Sequence, residues 1–380
     1  MKSITDYYSG KSVFITGGTG FVGKVLIEKL LFTCQDLEKI YILIREKEDV
    51  SPYRRFEQLI NQSVFARIHN EMPDAFNKLV PVAGNISEIN LGIQPNIESG
   101  FIDKISVIFH AAASVNFDEK LELSMTSNFE GTRRVLQLSK RMNNLKKFIH
   151  VSTAYCHTNQ SVLEEVVYPL PFALNTVDQD VSDRIYPTDV RFHAFKNTRP
   201  NSYTVAKAMS ETLVAENSAV PTVIIRPSIV SASMFEPMPG WIENWNGATS
   251  IIATVATGLN HVVQDDTRPI FLILTKHDWA LRVLTLLLQK IPAYITDFWR
   301  LSKGKKPRLV KLQSKLIKNR DVHKFFSSRS FPMRNENQMK LYYSMNQKDR
   351  TAFPFDPNQI QWNKYILQYC KGIKKYLLRR

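Results

Sequence analysis

Six short apolar runs punctuate the first 226 residues, with helical patterns between them. Lys11–Thr16 (KSVFIT), Lys39–Arg45 (KIYILIR), Leu79–Ala83 (LVPVA), Ser106–His110 (SVIFH), Lys147–Ser152 (KFIHVS) and Thr222–Arg226 (TVIIR) have strand length and are rich in β-branched residues. None alternates apolar with polar positions, so each reads as a strand buried on both faces. Lys24–Leu31, Phe56–Ile68, Asn128–Arg141 and Ser202–Glu216 instead space their apolar residues along one side of a helix. Strands of that kind alternating with helices predict an α/β fold whose parallel sheet is doubly wound, with helices on both faces.

Past residue 269 the pattern changes. Phe271–Trp299 is apolar but broken by Lys276, His277, Asp278, Arg282 and Lys290, so no uninterrupted run of about 20 residues is available to span a bilayer. It reads either as an interfacial helix facing lipid, continued by the basic block Arg300–Lys324, or as a helix buried against the body. Charge follows the same boundary. Residues 270–380 hold 24 Lys/Arg against 6 Asp/Glu, whereas the first 269 hold 26 against 29. Two domains are expected: a near-neutral α/β domain over 1–269 and a helical, basic domain over 270–380. Such a tail suits an anionic membrane, a polyanionic cofactor or nucleic acid, or is a solvated face with no partner. The basic block lacks the interleaved aromatics of a base-stacking platform, which argues against nucleic acid.

Composition narrows this further. At 44% apolar residues the chain can bury a core, which excludes global disorder. Cys34, Cys156 and Cys370 have no paired spacing, so neither a disulfide framework nor a metal site is expected, and a reducing compartment fits. The amino terminus has no apolar stretch longer than a strand, so no signal peptide is expected.

Three places carry chemistry. Gly17, Gly20 and Gly23 lie between the first strand and the first helix, where glycine lets the backbone approach a pyrophosphate and the helix start offers free N–H donors. That is a Rossmann-type dinucleotide turn. At the end of the second strand, where NAD enzymes usually place an acid, stands Arg45, whose guanidinium suits the 2′-phosphate of NADP. Tyr203 and Lys207 stand four apart on a predicted helix and face one way, so the ammonium is expected to lower the pKa of the phenol. Thr153, after the fifth strand, can hold a substrate oxygen. With the Ala111–Ala113 run and Ser152–Tyr155, this segment resembles an extended short-chain dehydrogenase/reductase, whose working parts these would be.

Further motifs follow in order: Arg226–Val230 (RPSIV), Glu236–Asn244 (EPMPGWIEN) and Asn246-Gly247, after the opening Thr16–Gly23, Pro200–Thr204 (PNSYT) and Lys207-Ala208. The tail adds Pro292-Ala293-Tyr294, Gly304–Arg308 (GKKPR) and Phe353–Asp356 (FPFD). In these motifs, over almost its whole length, the chain resembles the alcohol-forming fatty acyl-CoA reductases, with their carboxy-terminal "male sterility" domain. The resemblance implies reduction of a long-chain acyl-CoA to a primary alcohol through an aldehyde, using two NADPH. Tyr203 would protonate the oxyanion formed on hydride attack, Lys207 would bind the nicotinamide ribose, and Thr153 would hydrogen-bond the same oxygen. It assigns to the cofactor Thr16, Gly17, Gly20, Phe21, Val22, Gly23, Arg45, Asn85, Ile86, Ala111, Ala112, Tyr203, Lys207, Pro227 and Ile229. It also implies work at the cytosolic face of an intracellular membrane, peroxisomal or endoplasmic, with the apolar and basic carboxy-terminal region against it.

Two departures stand out. Between Gln264 and Lys276 the chain runs from QDDTRP almost at once into FLILTKHDWALRVL, where family members insert further strands and helices. An extended reductase uses that internal block to close the sheet edge and wall the acyl pocket, so its loss predicts an exposed strand edge and exposed apolar surface. Asn85 replaces the family's aspartate near the adenine, keeping an acceptor and adding a donor. Two other readings remain open at this level: an impaired NADP-binding scaffold, and an extended reductase or epimerase acting on a nucleotide sugar.

Overall fold

The computed structural model describes residues 3–174, 190–217, 220–256, 262–263, 273–274 and 277–378. The six apolar runs form β1 (Ser12–Thr16), β2 (Ile40–Ile44), β3 (Leu79–Ala83), β4 (Ile105–His110), β5 (Lys147–Val151) and β6 (Thr222–Ile225). They pair in one sheet, every neighbour parallel, in the order β3-β2-β1-β4-β5-β6. The strand order reverses between β1 and β4. At such a switch point the chain leaves two adjacent strands in opposite directions, and a crevice opens at their carboxyl ends.

Apolar packing holds the sheet from both sides. Val13, Phe14 and Ile15 of β1 are fully buried, and Phe14 stacks on Phe101 with ring centroids 5.5 Å apart. Phe148, Ile108, Val135 and Leu136 join the same cluster, while Phe129, Phe192, Val205 and Met209 form another beside the helix Ser202–Ala215. The first predicted helix spans Phe21–Thr33, after a short helix Ile4–Tyr8, and the third predicted one is a π turn, Met125–Glu130, continuing into Gly131–Lys140. Phe56–Ile68 is not one helix. Pro52–Ile60 ends at Asn61, whose side chain donates back to the Glu57 carbonyl at 2.8 Å, and extended Gln62 separates it from Ala66–Glu71.

β6 departs from the expectation that every strand is buried on both faces. It is the last strand of the sheet, and Val223 and Ile225 are 42% and 47% exposed, whereas Ile224 packs against the core. A run of four apolar residues looks the same whether it is central or at an edge; here one face is open. Most of Gln264–Lys276 lies outside the described residues, apart from Ile273–Leu274, which pairs in parallel with Val262–Val263.

By its contacts the chain divides into two compact units: Met1–Ser228 with Ser233–Trp241 and Met333–Tyr365, and Ile229–Ala232 with Ile242–Pro332 and Ile366–Arg380. In the second unit, Asp278–Thr285 continues through a π turn, Leu286–Lys290, into Ile291–Ser302. The Asp297 carboxylate accepts the N–H groups of Arg308, Leu309 and Val310 at 3.0, 3.0 and 2.8 Å, fastening the start of the helix Leu309–Ser327. The buried side of the long element carries Thr285, Gln289, Ala293 and Asp297, while Trp279, Tyr294, Ile295, Phe298 and Trp299 are each more than half exposed. Among the described residues no helix is long and apolar enough to cross a membrane.

The open face of β6 makes a prediction. Ile225→Lys should change unfolding free energy by about 0.5 kcal/mol or less, whereas Phe148→Ala, in the core, should cost about 3–5 kcal/mol. Urea titration checks this; equal losses would mean that the outer face of β6 is covered in solution.

Candidate active site

The parallel register brings the carboxyl ends of β1, β4 and β5 into line: Thr16 stands opposite His110, and His110 opposite His150. The segments that follow, Gly17–Gly23, Ala111-Ala112 and Ser152-Thr153, therefore leave the sheet at one edge. Gly17 has φ +76°, and a Cβ there would lie 2.6 Å from the Ala112 nitrogen, so the turn and the chain after β4 touch backbone to backbone. Gly20 is the N-cap of the helix Phe21–Thr33 with no side-chain cap, which leaves the first-turn N–H groups of Phe21 and Val22 for a ligand. Gly23 packs directly on Gly17, where no larger residue fits.

Beneath this turn Thr16 and His110 form a buried relay. Thr132 Oγ1 donates to the Asn128 carbonyl at 2.6 Å, so toward His110 Nε2, 3.0 Å away, it accepts. Nε2 thus carries the ring hydrogen, and bare Nδ1 accepts from Thr16 Oγ1 at 2.7 Å. Thr16 Oγ1 in turn accepts the Ala112 N–H at 3.3 Å, holding the seam with Gly17. Burial, and then the charge of Lys207, hold the His110 pKa down to about 3, so the ring stays neutral.

At the reacting end the helix Ser202–Ala215 starts on Asn201, whose side chain accepts the Thr204 N–H at 3.0 Å. Tyr203 and Lys207 follow on one side of it. Lys207 is buried; its ammonium donates to the Val151 carbonyl at 2.6 Å and lies 3.3 Å from His150 Nε2. Burial lowers its pKa to about 8, against the opposing pull of Glu211 and Cys156. Tyr203 shares a hydrogen bond with Thr153 and lies against Phe117, ring centroids 5.6 Å apart. Of the two hydroxyls in that turn, Ser152 instead faces the Cys156 thiol at 3.9 Å. The phenol does not have the lowered pKa expected from its lysine neighbour. Burial pushes it up, the Cys156 charge adds to that, and the Thr153 hydrogen bond offsets part of it. It stays protonated, as a proton donor must.

The remaining predicted residues are placed less directly. Arg45 is exposed at the end of β2. Asn85 is tied into its own turn, its oxygen accepting the Ser87 N–H and its amide donating to Glu88, each at 3.1 Å. Ile86 packs against Gly131, and its carbonyl accepts from Arg134 at 3.1 Å. The Phe21 ring stacks on Trp241 at 4.9 Å, so its part at the turn is its backbone. The Pro227 carbonyl accepts the Ala154 N–H at 2.9 Å, and Ile229 falls in the second compact unit.

Sequence reasoning missed several groups. Arg55 donates to the Arg45 carbonyl and to Thr19 Oγ1, the latter at 3.3 Å, so a second guanidinium joins the strand end to the glycine turn. Its place on a helix ten residues after Arg45 gave no cue. His110, His150 and Glu211 were hidden inside apolar patterns. Glu211, two turns after Tyr203 on the same helix, accepts from Arg226 at 2.8 and 2.6 Å and from His157 at 3.0 Å. Cys156, His157 and Glu211 lie close enough to suggest a metal, but the Arg226 guanidinium already takes the cation's place on both carboxylate oxygens.

Comparison with known proteins identifies the family and the fold. Residues 15–283 match one male sterility protein family model and residues 288–380 a second. Fatty acyl-CoA reductase 1 of Gallus gallus is 30% identical over 452 aligned positions, which cover all of this chain and 87% of the relative. The Xenopus laevis protein of the same name is 31% identical with the same coverage. Because this chain has 380 residues, at least 72 of the 452 positions belong to the relative alone, in keeping with an absent internal block. The terminal R domain from the myxalamid PKS-NRPS biosynthetic pathway shares the fold, with TM-score 0.61 and 18% identity over 97% of this chain and 92% of that one.

Glu211 gives the site's stability prediction. Burial pushes its carboxyl up, yet hydrogen bonds from Arg226 and His157 outweigh that and hold it at about 2. A carboxylate below its unfolded pKa of about 4.3 stabilises the fold above that pH and loses the contribution as pH falls toward the folded value. Glu211→Gln should therefore cost about 3–5 kcal/mol at pH 7, with the gap to wild type narrowing between about pH 4.5 and pH 2. A gap that stays constant on acidification would contradict the assignment.

Proposed function

The chain belongs to the male sterility protein family, among the fatty acyl-CoA reductases, and we propose that it reduces a long-chain acyl-CoA to the primary alcohol with NADPH. The observation that carries this is the convergence of Tyr203, Thr153 and Lys207 at the sheet edge from which the glycine turn also leaves. NADPH supplies a hydride at each of two steps. As hydride reaches a thioester carbonyl, negative charge grows on its oxygen. Tyr203, kept protonated by burial, donates a proton to that oxygen while the Thr153 hydroxyl steadies it. The hemithioacetal then expels CoA as its thiol, and the same donors serve the aldehyde in the second reduction. Lys207 has three N–H groups; with the Val151 carbonyl and His150 nearby, one remains for the nicotinamide ribose.

Choice of NADPH over NADH rests on Arg45 and Arg55 at the end of β2, where two guanidinium groups suit a 2′-phosphate and no acid takes the Arg45 position. The exposed aromatics of Asp278–Ser302, followed by exposed Lys303, Lys305, Lys306 and Arg308, suit the cytosolic, anionic face of an intracellular membrane, where long-chain substrates partition.

Tyr203→Phe should lower turnover of palmitoyl-CoA at least about 100-fold while NADPH affinity stays within a few-fold; retained turnover would remove Tyr203 as the proton donor. Arg45→Ala should weaken NADPH about tenfold more than NADH, as read by fluorescence titration; equal losses would mean that Arg45 does not meet the 2′-phosphate. Wild-type protein that binds NADPH yet forms no alcohol would favour the scaffold reading, for which the open β6 face is the structural motive.

A further inference from the structure

His150 is a fully buried histidine in the middle of an apolar strand, and the reaction outlined above has not used it. Its ring lies 5.3 Å from that of His110, in register across β4 and β5. Nε2 is 3.3 Å from Lys207 Nζ, and the same ammonium donates to the Val151 carbonyl at 2.6 Å. An ammonium has donors and no acceptor, so toward it Nε2 must be bare, and the ring hydrogen sits on Nδ1. Nδ1 has no hydrogen-bond partner. An unmade buried donor is a net cost that a leucine or phenylalanine of similar volume would avoid. What the imidazole supplies, and those residues do not, is the acceptor at Nε2.

We propose that His150 is a positioning residue for Lys207: its neutral Nε2 accepts one ammonium N–H and, with the Val151 carbonyl, turns the remaining N–H toward the ligand edge of the sheet. This rests on the reductase reading given above, and concerns how Lys207 is held rather than which residue reacts. The charges around Lys207 agree. His110 on β4 is neutral, Glu211 lies one turn along the same helix, Cys156 lies in the turn after β5, and Tyr203 is one turn back. A protonated His150 would put two cations 3.3 Å apart in the core; burial, Lys207 and His110 together hold its pKa well below the usual histidine range. Neutral His150 favours the charged form of Lys207. Removing the acceptor leaves the ammonium with less to offset its burial, so the Lys207 pKa should fall further in its absence.

Three variants test this. In His150→Gln the side-chain oxygen reaches roughly where Nε2 was; in His150→Asn it stops short; His150→Leu fills the space with no acceptor. The pH dependence of NADPH affinity, measured by fluorescence without acyl substrate, is the first readout, and the pH profile of kcat on palmitoyl-CoA the second. The Asn and Leu variants should move the alkaline limb of both profiles down by about one pH unit and so lower kcat about threefold at pH 7.5, with the acyl-CoA KM changed less than about twofold. The Gln variant should keep the wild-type limb. Limbs that stay in place in Asn and Leu, or Gln and Asn behaving alike, would overturn the proposal. Should the Leu variant fail to fold, the Gln and Asn pair decides it. Wild-type protein that forms no alcohol would overturn the reductase reading instead, and the NADPH limb would still judge His150.

Discussion

The site depends on one close backbone approach. Where β1 and β4 diverge, the turn at Gly17 lies against Ala111-Ala112 so tightly that a Cβ would come within 2.6 Å of a backbone nitrogen. Glycine at φ +76° makes that approach possible, and the Thr16–His110–Thr132 chain of hydrogen bonds holds it from below. Because the strands are parallel and in register, closing this seam also sets the height at which Thr153 leaves β5 and hence where Tyr203 meets it. The uncapped start of the helix Phe21–Thr33 then faces the same edge, with its first-turn N–H groups suited to a pyrophosphate. The glycine turn and the Tyr203–Thr153 pair are thus consequences of one sheet geometry rather than two separately built features.

Around that geometry the protein buries more charge than a packing argument needs. Lys207, Glu211 and two neutral histidines sit inside the sheet–helix interface. The two charges are costly alone, and both are matched: Lys207 by a carbonyl and an imidazole, Glu211 by Arg226 and His157. Arg226 also donates to the Glu164 and Val166 carbonyls at 2.9 and 2.7 Å, so the pairing pins the chain after β5 to the chain after β6. The lysine is left with a pKa close to neutrality, where small changes in its surroundings alter its charge.

Much of this was legible in the sequence, for identifiable reasons. The β-branched runs gave the strands to within a residue or so, because a buried parallel strand has little freedom in composition. Tyr203 and Lys207 were readable because helical periodicity puts residues four apart on one side, and the three glycines because a turn of that kind accepts little else. What escaped is of another sort. TVIIR could not announce that β6 is an edge strand with an open face, since run length does not distinguish edge from centre. Phe56–Ile68 kept its helical spacing across a break that Asn61 makes with its own side chain. Asp278–Ser302 shows two faces in its pattern, but not that the aromatic one points outward. His150 and Arg55 acquire meaning from partners far off in the chain, Lys207 in one case and Thr19 in the other.

The most direct measurement follows the hydride itself. Purified protein is incubated with palmitoyl-CoA and NADPH deuterated at the transferable position, and the products are read by mass spectrometry. The proposed reaction predicts hexadecanol carrying two deuterium atoms at C1, one from each reduction, with free CoA released in equal amount. Recovery of unchanged palmitoyl-CoA from protein that demonstrably binds NADPH would contradict the account, because the turn would then hold a dinucleotide beside a proton donor that serves no acyl reduction.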